Sequence, residues 1–120
     1  MQYDPNVPIW LQVMTALQTD IATGRRHAGE KLPGGRELAL QYGINPNTAA
    51  RVYQELEKEG LCETRRGLGT FVTASAERIS ALRAGMARQA VDSFLRNMET
   101  LGISRREAAR MILKEDDKNA

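Results

Sequence analysis

The sequence predicts a mainly helical chain with one small β-hairpin near its middle. Three observations carry this. Apolar residues recur three and four apart through most of the 120 residues, which is the helical period. All four prolines and eight of the ten glycines lie before residue 74, so that part is built of short, punctuated elements. The rest has no proline and glycines only at 85 and 102, which reads as long helix. The chain therefore divides into an N-terminal domain, residues 1–73, and a helical tail, residues 74–120.

The first helix spans 9–23. Pro8 suits its start, because a first-turn residue has no use for an amide proton. Trp10, Val13, Met14, Leu17 and Ile21 form its apolar face, with Gln12, Thr15, Gln18 and Thr19 opposite, and Gly24 ends it. Residues 25–31 form a loop, and Lys31-Leu32-Pro33 a short extended piece. The second helix spans 35–42. Gly34 takes the N-cap place, and Glu37 stands where its carboxylate can reach back to a free amide. Leu38, Ala39 and Tyr42 face inward, and Gly43 stops the helix. Only Ile44 then precedes Asn45-Pro46, a strong N-cap followed by a residue preset for the first turn. The third helix starts at 46, buries Ala49, Val52, Tyr53 and Leu56, and closes at Gly60. Two helices joined by so short a turn with glycine make a helix-turn-helix. Residues 61–65 and 70–73 read as strands, and Arg66-Gly67-Leu68-Gly69 supplies the glycines of a tight hairpin. A hairpin in that place is a wing, so the domain is a winged helix-turn-helix.

The tail reads as one helix over 75–101 and a second beginning after Ser104. Ile79, Leu82, Met86, Ala90, Phe94, Met98 and Leu101 follow the helical spacing along about 40 Å. Gly102 breaks the helix, and Ser104-Arg105-Arg106-Glu107 is a capping box. Met111 and Ile112 are the apolar residues of the last helix. Two such helices cannot bury their stripe alone. Two copies packed about a two-fold axis can, so the expected dimerisation residues are Leu82, Met86, Ala90, Phe94, Met98, Leu101, Met111 and Ile112. The competing arrangement folds the long helix back onto its own winged domain.

Composition narrows the function classes. Apolar residues at 42% and charged residues at 27% are globular values. Seventeen basic against fifteen acidic side chains give +2, so any basic surface must be local. No apolar run approaches the roughly 18 residues of a membrane span. The N-terminus lacks the basic-then-apolar pattern of a signal peptide. One cysteine excludes an internal disulfide framework and suits the cytoplasm. Cys62 and His27, one of each, leave no zinc cluster. No catalytic set, cofactor or metal is expected. Cys62, Trp10 and Tyr53 read as packing residues, and Arg25-Arg26-His27 as an ordinary solvated loop.

Five stretches resemble a known family. They are Pro8-Ile9-Trp10-Leu11-Gln12, Leu32-Pro33-Gly34-Gly35-Arg36-Glu37-Leu38-Ala39, Gly43-Ile44-Asn45-Pro46-Asn47-Thr48, Glu55-Leu56-Glu57-Lys58-Glu59-Gly60-Leu61 and Gly67-Leu68-Gly69-Thr70-Phe71-Val72. Their order and spacing over 8–72 are similar to the GntR family of bacterial transcription regulators. Asn45-Pro46-Asn47-Thr48 and the short tail resemble its YtrA subfamily. Two features depart from the family. Gly34 stands where Ser is usual, at a capping cost of about a few tenths of a kcal/mol. Pro46 and Ala50 stand where many members carry arginine, leaving Arg51 as the only basic residue of the third helix before Lys58. The resemblance implies a DNA-binding regulator that acts as a dimer, with Arg36 in contact with DNA.

On this reading the third helix enters the major groove, where side chains near its N-terminus meet base edges. Asn47, Thr48, Arg51 and Gln54 lie off the buried stripe, at spacings that share a face. Arginine pairs with two acceptors of guanine, and asparagine or glutamine with adenine. Asn45 is a cap first and a phosphate contact second. Arg65, Arg66 and Gly67 form a wing tip suited to the negative potential of a minor groove. The expected function is sequence-specific transcriptional regulation, as a repressor bound to an inverted-repeat operator as a homodimer. The tail is too short for a large effector domain, but leaves room for an unidentified small effector between subunits or between the tail and the DNA-binding domain. The alternative is a winged-helix protein-interaction module without DNA binding. A third reading, a small-ligand sensor, needs a sizeable apolar pocket in the tail.

Overall fold

The computed structural model describes residues 1–119, with side chains as far as Glu115. Its elements are α1 (Ile9–Ala22), α2 (Gly35–Tyr42), α3 (Pro46–Lys58), β1 (Cys62–Arg65), β2 (Gly69–Val72), α4 (Ala76–Thr100) and α5 (Arg105–Asn119). This is the mainly helical winged fold expected, with element ends moved by a residue or two. The chain forms two units, Met1–Arg83 and the residues from Ala84 onward, and α4 belongs to both.

In the first unit α1 and α2 both pack on α3. Val13, Met14, Leu17 and Ile21 of α1 meet Ala49, Val52 and Leu56 of α3, with Leu38 and Ala39 of α2. Leu32, Leu61, Cys62 and Val72 close the cluster from the loop and the hairpin. Each fully buried aliphatic side chain contributes about 1.5–3 kcal/mol. Trp10 and Tyr53 are half-buried at the edge of this core rather than inside it. Ile79 and Leu82, from the first turns of α4, also pack against it. Leu82 therefore meets the core of its own chain.

Polar ties fix the ends. The Gln12 side chain donates to the carbonyls of Asp4 and Val7 and accepts from the Asp4 amide, which pins the N-terminal arm to α1. The Tyr3 hydroxyl donates to the Tyr42 carbonyl at 2.6 Å. Gly43 adopts φ +64°, and the Ile44 amide returns to the Ala39 carbonyl at 2.9 Å, so the chain reverses within one turn. The expected reach of Glu37 back to a free amide at the start of α2 is not formed. Gly34 has no side chain to offer, no side chain caps this end, and the turn is closed by the Leu38 amide on the Gly34 carbonyl at 2.9 Å.

The hairpin pairs Cys62 with Val72, Glu63 with Phe71, Thr64 with Thr70 and Arg65 with Gly69. β2 has a second neighbour. Lys31 bridges Phe71, the Leu32 amide donates to the Thr70 carbonyl, and the Val72 amide donates to the Glu30 carbonyl, the last two at 2.8 Å. The extended piece expected at 31–33 is thus a short third rung that ties the wing to the loop before α2.

In the second unit α4 ends where the Gly102 and Ile103 amides donate to Glu99 and Met98 carbonyls, with Gly102 at φ +75°. Ser104 Oγ accepts from the Glu107 amide at 3.1 Å and starts α5. Met98 and Ala108 are buried, and Met86 and Phe94 are half-buried. Val91, Leu101, Met111, Ile112 and Leu113 are exposed. No helix among the described residues is long and apolar enough to cross a membrane.

Candidate nucleic-acid interface

The start of α3 is built by Asn45 and Pro46. Asn45 Oδ1 accepts from the Asn47 amide at 2.8 Å, and its carbonyl accepts from the Ala49 amide at 3.1 Å. Pro46 holds the first helical position. With Ala49, Val52 and Leu56 turned into the core, Asn47, Arg51 and Gln54 are left exposed and Thr48 half-exposed. This is the face that the residue pattern requires. The Asn45 side chain is engaged as a cap, as expected.

Arg51 is not loose on that face. Its guanidinium carbon stands 4.2 Å from the centroid of the Trp10 ring. Tyr53, two residues on, points to the other side and donates its hydroxyl to the Pro33 carbonyl. Burial pushes the Tyr53 phenol well above its ordinary range, only partly opposed by the charge of Arg26, so it remains a donor. The bond fastens the segment leading into α2 onto α3.

Arg36 occupies the first turn of α2, exposed, with no hydrogen bond or ion pair among the described residues. It borders an apolar groove of about 410 Å³ lined by Ala39, Leu40, Ile44 and Pro46, where Leu40 is 84% exposed.

The wing holds its two arginines differently. Arg65 donates from Nε and Nη2 to Glu63 Oε1, at 3.0 and 2.8 Å, and lies 4.4 Å over the Phe71 ring. Arg66 is exposed and without such a partner among the described residues. Gly67 turns the chain at φ +77°, and the Leu68 amide donates to the Arg65 carbonyl at 2.9 Å. Leu68 is exposed at the tip. Gly69, at φ +118°, lets the Lys31 stem lie close; a Cβ there would be 2.8 Å from Lys31 Cε.

Lys31 is a cation that the reading of the sequence did not place beside the wing. The signal was present in the buried Leu32, which turns Lys31 and Pro33 to the opposite side of an extended piece. The bridge to Phe71 is a non-local pairing that no local pattern announces. Arg25 and Arg26 lie 3.9 and 3.5 Å from the one carboxylate of Asp20 in α1, so the charge of the loop cluster is partly offset. The tail cavities are not apolar. One of about 520 Å³ is lined by Leu95 and Ile103 but ringed by Asp92, Arg96, Glu99 and Arg105.

Residues 10–72 match the model of the family described as bacterial regulatory proteins, gntR family. The chain is 37% identical over 106 residues to an uncharacterized HTH-type transcriptional regulator, YhcF, of Bacillus subtilis (strain 168), covering 88% of each chain. It is 40% identical over 79 residues to the HTH-type transcriptional repressor YtrA of the same organism, covering 64% of this chain and 61% of that one. A GntR family transcriptional regulator from Listeria monocytogenes superposes with a TM-score of 0.86 at 36% identity, covering 93% of this chain and 98% of that one.

Proposed function

Because this chain belongs to the gntR family of bacterial regulatory proteins, with YtrA and YhcF among its relatives, we propose that it is a repressor that binds a specific DNA operator as a homodimer. Asn47, Thr48, Arg51 and Gln54 read base edges in the major groove. Arg36 and Asn45 hold phosphates, and Arg65, Arg66 and Gly67 enter the flanking minor groove. The observation that carries this is the exposed Asn47–Arg51–Gln54 face of α3, on a helix whose opposite side is wholly committed to the core. Exposed polar side chains outside the core, at the capped N-terminus of the second helix of a helix-turn-helix, are what base readout needs.

The exposed Val91, Leu101, Met111 and Ile112, with half-buried Met86 and Phe94 and the exposed Ala90, support pairing of two tails. A two-fold dimer calls for an inverted-repeat operator. The name repressor belongs to the relative YtrA and supports repression here. The cleft beside Arg96, Glu99 and Arg105 supports a polar rather than an apolar small effector. The cytoplasm is the compartment of such a regulator. The second reading, a protein-interaction module, draws on Leu40 and its apolar groove.

The test is titration of selected operator DNA and of a scrambled duplex at several salt concentrations. Specific binding that weakens steeply with salt supports operator recognition, because lysine and arginine contacts release counterions. Equal affinity for both duplexes, or affinity flat in salt, overturns it in favour of the interaction module.

A further inference from the structure

We propose that Trp10 is a positioning residue for base readout, its indole holding the Arg51 guanidinium in the pose from which Arg51 reads DNA. This rests on the assignment of α3 as the recognition helix. The two residues come from different helices. Trp10 lies in the first turn of α1 and Arg51 in the second turn of α3. The indole packs against the core cluster on the edge of the domain and carries the Arg51 guanidinium 4.2 Å from its centroid. The buried stripe of α1 is Val13, Met14, Leu17 and Ile21, so the half-buried Trp10 is not needed to complete it.

The geometry suits a reading arginine for two reasons. Among the described residues Arg51 has no ion pair or hydrogen bond, so the ring is what limits its rotamers. A long side chain that is already confined loses less freedom when it binds. A guanidinium held by a ring is held without an acceptor for its N–H groups, which stay free for the two acceptors of guanine. An ion pair would instead occupy those same N–H groups, as Glu63 does for Arg65. With no other basic side chain on the first three turns of α3, Arg51 carries this readout alone, and its pose sets the result.

The experiment uses the full chain and a duplex that it selects from a random-sequence pool, with every single-base variant of that duplex. Affinities are measured for the wild type, Trp10→Leu, Trp10→Phe, Arg51→Ala and the Trp10→Leu/Arg51→Ala double variant. Trp10→Leu is expected to lose discrimination about three- to five-fold, at the same base pair as Arg51→Ala. Trp10→Phe keeps most of it, and the double variant equals Arg51→Ala alone. Trp10 is the only tryptophan, so its emission reports the stack directly. Emission of free Arg51→Ala should differ from the wild type, a readout that holds even if Trp10→Leu fails to fold. Additive losses, losses at other base pairs, or emission unchanged by Arg51→Ala overturn the role of Trp10 while leaving α3 as the reader. Undiminished discrimination in Arg51→Ala overturns both.

Discussion

Arg78 Nη1 donates to the Gly60 carbonyl oxygen at 3.1 Å, tying the first turn of α4 to the end of α3. Gly60 is at φ +73°, and a Cβ there would run into the same guanidinium. Two separate penalties therefore meet at position 60. The left-handed backbone costs an alanine about 1–2 kcal/mol, and the collision adds to it only as far as Arg78 cannot swing away. Gly60→Ala is expected to lower stability by at least about 1–2 kcal/mol. In an Arg78→Ala background the backbone part should remain and the collision part vanish. Denaturant unfolding of the four proteins separates them; a Gly60→Ala protein as stable as the wild type contradicts the assigned conformation.

Charge on the wing is distributed unequally, and binding should reflect it. Arg66 is unpaired among the described residues, whereas Arg65 is already engaged by Glu63. Arg36→Ala should flatten the salt dependence by about one unit of slope and weaken all sequences alike, whereas Arg66→Ala should weaken mainly duplexes with A·T-rich flanks. Arg65→Ala should do less. Glu63→Gln, which frees Arg65, should strengthen binding. Fluorescence anisotropy at several salt concentrations measures each, and equal effects of Arg65→Ala and Arg66→Ala would count against the minor-groove role of the tip.

The proposed base readout lies on α3. Asn47→Ala is expected to cost about 1–3 kcal/mol at one or two operator positions and little elsewhere. Selection of bound DNA before and after the substitution reads this out. A uniform loss across sequences would make Asn47 a phosphate contact.

The proposed dimer is held by the tail. Ile79 and Leu82 pack on the winged domain, so a truncation must spare them and fall after Arg83. That fragment should be monomeric and lose most operator affinity, since its partner is no longer held at high local concentration. Phe94→Asp should act similarly by placing a charge in an apolar contact. Light scattering checks both, and a fragment that stays dimeric would remove the tail from this role.

Burial pushes the Cys62 thiol up to about 12, and the charge of Glu57 adds to the shift. The folded state thus binds this proton more tightly than the unfolded one. Stability from this group is complete below the ordinary thiol range and is lost as pH rises from there toward 12. At neutral pH the thiol should resist aromatic disulfide reagents until the domain unfolds. Rapid labelling of native protein would contradict its burial.

Most of the fold could be read locally. Asn45-Pro46 starts α3, Gly43 reverses the chain, and Ser104 opens α5, because each acts on its own neighbours. The spacing also identified the Asn47–Arg51–Gln54 face. Long-range pairings were not legible. Nothing local sets Lys31 against Phe71, Trp10 beneath Arg51, or Leu82 against the winged core. Leu82 continues the stripe of Met86 and Phe94 in sequence, yet packs within the other unit, since periodicity gives a face but not its occupant.

The three residues 31–33 have hydrogen bonds in two directions. The Leu32 amide joins β2 of the wing, and the Pro33 carbonyl receives the Tyr53 hydroxyl of α3. They act as a strut that fixes the span between the helix and the wing, like calipers locked at one opening. On the proposed reading, each half-site then has a set length. One extra base pair between the bases read by α3 and the flanking tract lengthens the DNA by about 3.4 Å. With α3 and the wing bound as proposed, such an operator is expected to keep its contacts to α3 and lose those to the flank.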